Sequence, residues 1–163
     1  MNVSYQNLIE RIRGEVIDLE QVVQRARQSW SLLQKASAED KFPYVDSTAL
    51  NLHAFYSGVE RLFELVARQV DGKLPDSDTW HRDLLQQMSD DVPDARPAVI
   101  SQQNAVALDE FRRFRHLVRN LYTTNLIPAK MTSLIHTLPA LWPGIRAELL
   151  AFADYLEALD KSS

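Results

Sequence analysis

An all-α, up-and-down bundle of about five helices is the fold this sequence predicts, and three observations predict it. Apolar residues recur in steps of three and four along most of the chain. Proline- and glycine-bearing stretches interrupt those stripes. No segment reads as a strand, and neither a solenoid-period repeat nor a low-complexity tract is present. At 163 residues the chain fits one domain spanning 1–163.

The first helix runs from Val3 to about Ala36, on the stripe Leu8, Ile12, Val16, Leu19, Val22 or Val23, Ala26, Trp30 and Leu33. Residues 37–44 break the pattern, and Pro43 predicts a loop there. Asp46 or Ser47 then caps a second helix, whose stripe Leu52, Phe55, Tyr56, Val59, Leu62, Phe63, Val66 and Val70 ends at Asp71-Gly72, a left-handed stop. A short third helix starts near the cap at Asp76 to Asp78 and carries Trp80, Leu84, Leu85 and Met88, before Pro93 and Pro97 mark an exposed loop from Ser89 to Ala98. The fourth helix covers Ser101 to Tyr122, and a fifth Lys130 to Leu159, bent at Pro139 and Pro143.

Composition narrows the function classes. Hydrophobic residues make up 45% and charged residues 25%, too mixed for disorder, and no apolar run approaches the ~20 residues needed to span a bilayer. The opening MNVSYQNLIERIRGE lacks a signal-peptide layout, so the expected location is the cytoplasm. The absence of cysteine removes disulfides, thiolate catalysis and cysteine zinc sites. No glycine-rich phosphate loop occurs, and His53, His81 and His136 have no metal-ligand spacing, so neither a cofactor nor a metal is expected. His53 and His81 read most simply as polar-face residues. Trp30, Trp80 and Trp142 read as core or dimer-interface anchors.

Against a net charge of −4, residues 111–120 concentrate Arg112, Arg113, Arg115, Arg119 and His116 on one helix. Setting Arg115 at zero, Leu108, Phe111, Val118 and Tyr122 fall within about 60° of it around the helix, so Arg115 sits in the apolar stripe. A cation facing a packed surface needs an acid or an anion. An ion pair with Glu60 or Glu64 is one answer, and a phosphate is the other, since the guanidinium fork donates two parallel bonds and stays charged. Three further arginines favour a polyanion, though a run of cations is also the ordinary look of a solvated helix face.

The stretch Phe114-Arg115-His116-Leu117-Val118-Arg119-Asn120-Leu121-Tyr122 resembles the signature of HEPN domains of the HepT-like group. Leu52 to Arg61 and Trp80 to Met88 strengthen the likeness, which extends over roughly residues 5 to 155. The resemblance implies a HEPN-like four-helix core acting as a homodimer, with two signature helices facing each other across a cleft. It further implies a toxin with metal-independent endoribonuclease activity whose antitoxin is a minimal nucleotidyltransferase. On that resemblance Arg115 takes the place of the motif arginine, His116 of the polar residue after it, and Tyr122 of the tyrosine that the partner modifies with AMP.

The family's histidine position falls on Asn120, an amide that cannot exchange a proton near neutrality. Three readings stay open: a natural variant using His116, about 40° away around the helix, an inactive family member, or a detoxified form. His116 as proton-transfer group and Arg115 as charge stabiliser make up the expected chemistry. Arg112, Arg113 and Arg119 are expected on flanking phosphates, and Glu60 is expected to orient Arg115. The alternative is a non-catalytic module that docks a nucleotidyltransferase or RNA.

Overall fold

The computed structural model describes residues 4–120 and 128–163. Its helices are α1 Gln6–Lys35, α2 Phe42–Val66, α3 Trp80–Ser89, α4 Gln102–Asn120 and α5 Pro128–Ser162. No strand occurs among the described residues; the pair Val92 and Arg96 forms an isolated bridge. The expected all-α bundle of five helices is what forms. The described part of α1 keeps its expected stripe, with Leu8, Ile12, Val16, Leu19, Val23, Ala26 and Leu33 buried and Trp30 partly so.

The second helix is central, packing against α1, α3, α4 and α5. Its Phe55 ring meets Phe111 of α4 edge-on at 5.3 Å and Trp142 of α5 at 5.8 Å, so one side chain ties three helices together. Gly58 explains the close approach of α1: a β-carbon there would lie 2.7 Å from Leu19 Cδ2 and 3.0 Å from Glu15 Oε1. In the N-terminal part of α1, Arg13 meets Asp154 at 2.9 Å and Glu157 at 3.2 Å, and just before the helix the Tyr5 backbone N–H donates to the Asp160 carboxylate, joining α1 to the last turns of α5.

Three local expectations change. The second helix begins at Phe42, not after a loop ending at Tyr44, because Pro43 occupies its first turn, where a missing N–H has no helical partner to lose. The third helix begins at Trp80, with the Ser77 and Thr79 hydroxyls donating to Asp83 Oδ2 at 2.7 and 3.0 Å. The Ser89 to Ala98 connection is not wholly exposed, since Arg96 is 4% exposed. Arg96 donates to both oxygens of Asp71 at 2.6 and 2.8 Å, and to the carbonyls of Gln87, Asp90 and Pro97. That clamp fastens the connection between α3 and α4 to the end of α2.

The end of α2 forms as expected. The helix widens into a π-helical turn at Ala67–Asp71 and stops at Gly72, whose φ of 68° is left-handed, with the Lys73 N–H returning to the Ala67 carbonyl. Pro139 and Pro143 lie inside α5, which continues through both.

Candidate functional site

Three helices bring the site together. From α2 come Tyr56, Ser57 and Glu60, spaced within a turn; from α3 come Trp80 and His81; from α4 comes Arg115. Phe111 and Leu108 pack α4 into the core, and Arg115, one turn beyond Phe111, is carried down to α2 with them. Its Nε donates to Ser57 Oγ at 2.9 Å, and its Nη2 stands 3.8 Å from Glu60 Oε1. The second distance is an ion pair without a hydrogen bond.

Glu60 is 3% exposed, and its other oxygen, Oε2, accepts from His81 Nδ1 at 2.8 Å. The His81 ring lies stacked on Trp80, with centroids 3.6 Å apart. A buried carboxylate left alone would cost several kcal/mol, about 3–5 for a broken pair; here it is shared between an imidazole and a guanidinium. Of the two acids considered for Arg115, Glu60 is therefore the one that meets it. Glu64 instead lies 3.9 Å from Arg68 on its own helix turn.

Tyr56, fully buried, has a hydroxyl with no hydrogen-bond partner among the described residues. Burial first, and then the negative charge of Glu60, push its pKa well above the usual phenol value, so it stays a neutral hydroxyl.

The remaining predicted residues divide. His116 follows Arg115 directly and is exposed. Arg112 and Arg113 are held on their own helix: both meet Asp109, at 2.6 and 3.0 Å, and Arg113 also meets Glu110 at 3.4 Å. Acids one turn N-terminal to arginines are the favourable order for such pairs, and that spacing was readable in the sequence. Tyr122 lies outside the described residues, as do the side chains of Arg119 and Asn120.

Sequence reasoning passed over Ser57 and treated His81 as a surface polar residue. The signal for His81 was its neighbour Trp80, an aromatic beside an imidazole at the start of a helix. His136 meets Trp30 edge-on at 6.4 Å, away from this cluster in sequence and on α5. Among the described residues no group of three or more His, Cys, Asp or Glu could hold a metal ion, and no helix is long and apolar enough to cross a membrane.

Comparison with known protein families gives a match. The family described as HepT-like protein matches residues 47–156, a stretch that contains Ser57, Glu60, His81, Arg115, His116 and Asn120 and omits α1. No curated protein and no solved structure matches the chain. With more than half of its length matched, and with the arginine-bearing helix and the acid that meets it both inside that stretch, the chain belongs to the HepT-like family.

Proposed function

We propose that this chain is an endoribonuclease toxin that cleaves RNA without a metal, acts in the cytoplasm as a homodimer, and is silenced when a minimal nucleotidyltransferase antitoxin transfers AMP to Tyr122. The observation that carries the proposal is the placement of Arg115. Its guanidinium is only partly buried, anchored by Ser57 and by a buried acid that meets it without a direct hydrogen bond, and the next residue in the chain is an exposed histidine.

In the reaction, the ribose 2′-oxygen attacks the adjacent phosphorus, and the two non-bridging oxygens gain negative charge. Arg115 donates to those oxygens; such preorganised donors are worth about 100- to 1,000-fold in rate. His116 exchanges the proton, a contribution of about 100- to 10,000-fold. Glu60 orients Arg115 from below. Arg112, Arg113 and Arg119 hold flanking phosphates, the first two by exchanging Asp109 for a phosphate oxygen, so binding is salt-sensitive and tolerant of sequence. AMP on Tyr122 adds a phosphate close in sequence to the arginines of α4 and repels the substrate backbone.

The test is cleavage of a single-stranded RNA by the purified chain in chelator, with its mass in solution measured alongside. Cleavage by a dimer, lost in Arg115→Ala, supports the reading; intact RNA after prolonged incubation refutes it. Asn120 favours a second reading, a binding module without catalysis. In that case the wild-type chain binds RNA or the nucleotidyltransferase and cuts nothing, while Asn120→His cuts.

A further inference from the structure

We propose that His81 is the second proton-transferring group of this site, supplying the imidazole that the amide of Asn120 does not. The assignment rests on the ribonuclease reading above and completes it, because cleavage by a neighbouring hydroxyl needs both a base for the 2′-oxygen and an acid for the departing 5′-oxygen.

The geometry consists of one carboxylate with two occupants. Glu60 Oε2 accepts from His81 Nδ1 at 2.8 Å, while Oε1 stands 3.8 Å from Arg115 Nη2. An imidazole and a guanidinium from different helices are therefore separated by the width of a single carboxylate. A carboxylate on Nδ1–H fixes the tautomer and leaves the lone pair on Nε2, the arrangement in which histidine acts as a base. Trp80, stacked on the ring at 3.6 Å, keeps its plane from swinging. The His81 side chain nevertheless keeps 26% of its surface exposed, against 4% for Glu60, so a phosphodiester arriving from solvent can reach the imidazole but not the acid behind it.

The step balances within these groups. His81 Nε2 takes the proton of the 2′-hydroxyl as the 2′-oxygen bonds to phosphorus. The bond from phosphorus to the 5′-oxygen breaks, and that oxygen takes a proton from the His116 imidazolium. The products are a 2′,3′-cyclic phosphate and a 5′-hydroxyl, and exchange with water resets both histidines. Glu60 touches no substrate and serves as the positioning residue for His81 and Arg115.

The experiment measures single-turnover cleavage of a 5′-labelled single-stranded RNA by the full-length chain, with RNA affinity read by anisotropy. His81→Ala is expected to cut at least about 100-fold more slowly, with affinity almost unchanged, and imidazole added to the buffer is expected to restore part of the loss. Glu60→Gln is expected to fall between wild type and His81→Ala, and imidazole is expected not to restore it. His81→Gln keeps an amide hydrogen-bonded to Glu60 and provides the same measurement should the alanine variant fold poorly. Either His81 variant cutting at the wild-type rate overturns the assignment, as does a loss that follows RNA affinity and ignores imidazole. A wild-type chain that is inert while Asn120→His cuts overturns the His81 role and leaves the ribonuclease site standing. If both are inert, the ribonuclease reading fails first.

Discussion

Replacing Arg115 by alanine separates a structural ion pair from a phosphate-gripping group, because the two roles predict different sizes of effect on different observables. Across 3.8 Å, the Coulomb attraction between Arg115 and Glu60 is about 4 kcal/mol at an effective dielectric of ~20. Desolvating the two groups offsets most of that. The bond from Arg115 Nε to Ser57 adds about 1.5–3 kcal/mol as a hydrogen bond from a charged donor. Glu60 keeps its bond from His81 in the variant and is not left without a partner. The expected loss of stability is therefore about 2 kcal/mol, read as the shift in the urea midpoint at constant slope. Loss of transition-state stabilisation by a preorganised cation is larger, about 2.7–4 kcal/mol or 100- to 1,000-fold in cleavage rate per folded molecule. Arg115→Lys, which keeps the charge and loses the fork, should recover stability better than rate. A variant destabilised by 4 kcal/mol or more, whose folded fraction cleaves RNA as fast as wild type, would make Arg115 a structural ion-pair partner only.

Arg96→Ala removes a guanidinium with 0% side-chain exposure from Asp71 and from three carbonyls, so a loss of about 3–5 kcal/mol is expected, seen as a drop of the urea midpoint. Asp109→Asn releases Arg112 and Arg113 from their shared carboxylate; RNA affinity should rise and its logarithmic salt slope steepen by up to about 0.7 for each phosphate newly held, measured by anisotropy at several salt concentrations. The hydrogen bond from Arg13 holds the Glu157 carboxyl below its usual value. Its contribution to stability is thus present above about pH 4.5 and lost as the pH falls through the lowered folded-state value. The urea midpoint should therefore fall further between neutral and acid pH in wild type than in Arg13→Ala. Replacing Glu60, His81 and Arg115 together by Leu, Leu and Met should leave a folded chain of equal or greater thermal stability that cuts no RNA.

The helices were legible because their stripes are long: the apolar positions of α1 and α2 repeat over about eight and about seven turns, and burial follows them. Legibility failed where one residue type admits two placements. Pro43 signals a break in a helix interior and a good fit in its first turn, and only packing on either side decides. Arg96 sits in a proline-rich connection of polar appearance, yet its partner Asp71 lies 25 residues away, beyond any local spacing rule. The site was half-legible for the same reason. Arg115 could be placed in the apolar stripe by arithmetic around one helix, and Asp109 could have been placed beside Arg112 in that way. The imidazole of His81 meets Glu60 across 21 residues and a change of helix, which periodicity does not encode.

The cluster at α2, α3 and α4 is an inefficient way to hold three helices together. Phe55, Phe111 and Trp142 already join α2, α4 and α5 by apolar contact, and Leu84, Leu85 and Met88 bury α3. A carboxylate 3% exposed, shared between two cations or hydrogen-bond donors that each remain partly open to solvent, adds little net stability to such a core. It does fix direction. With Glu60 rigid in the core, Arg115 and His81 can adopt few rotamers, and their outward atoms are preorganised before any ligand arrives. The proposed phosphodiester site would use that fixed direction, and it sets Arg115 apart from Arg112 and Arg113, whose partners lie on their own helix.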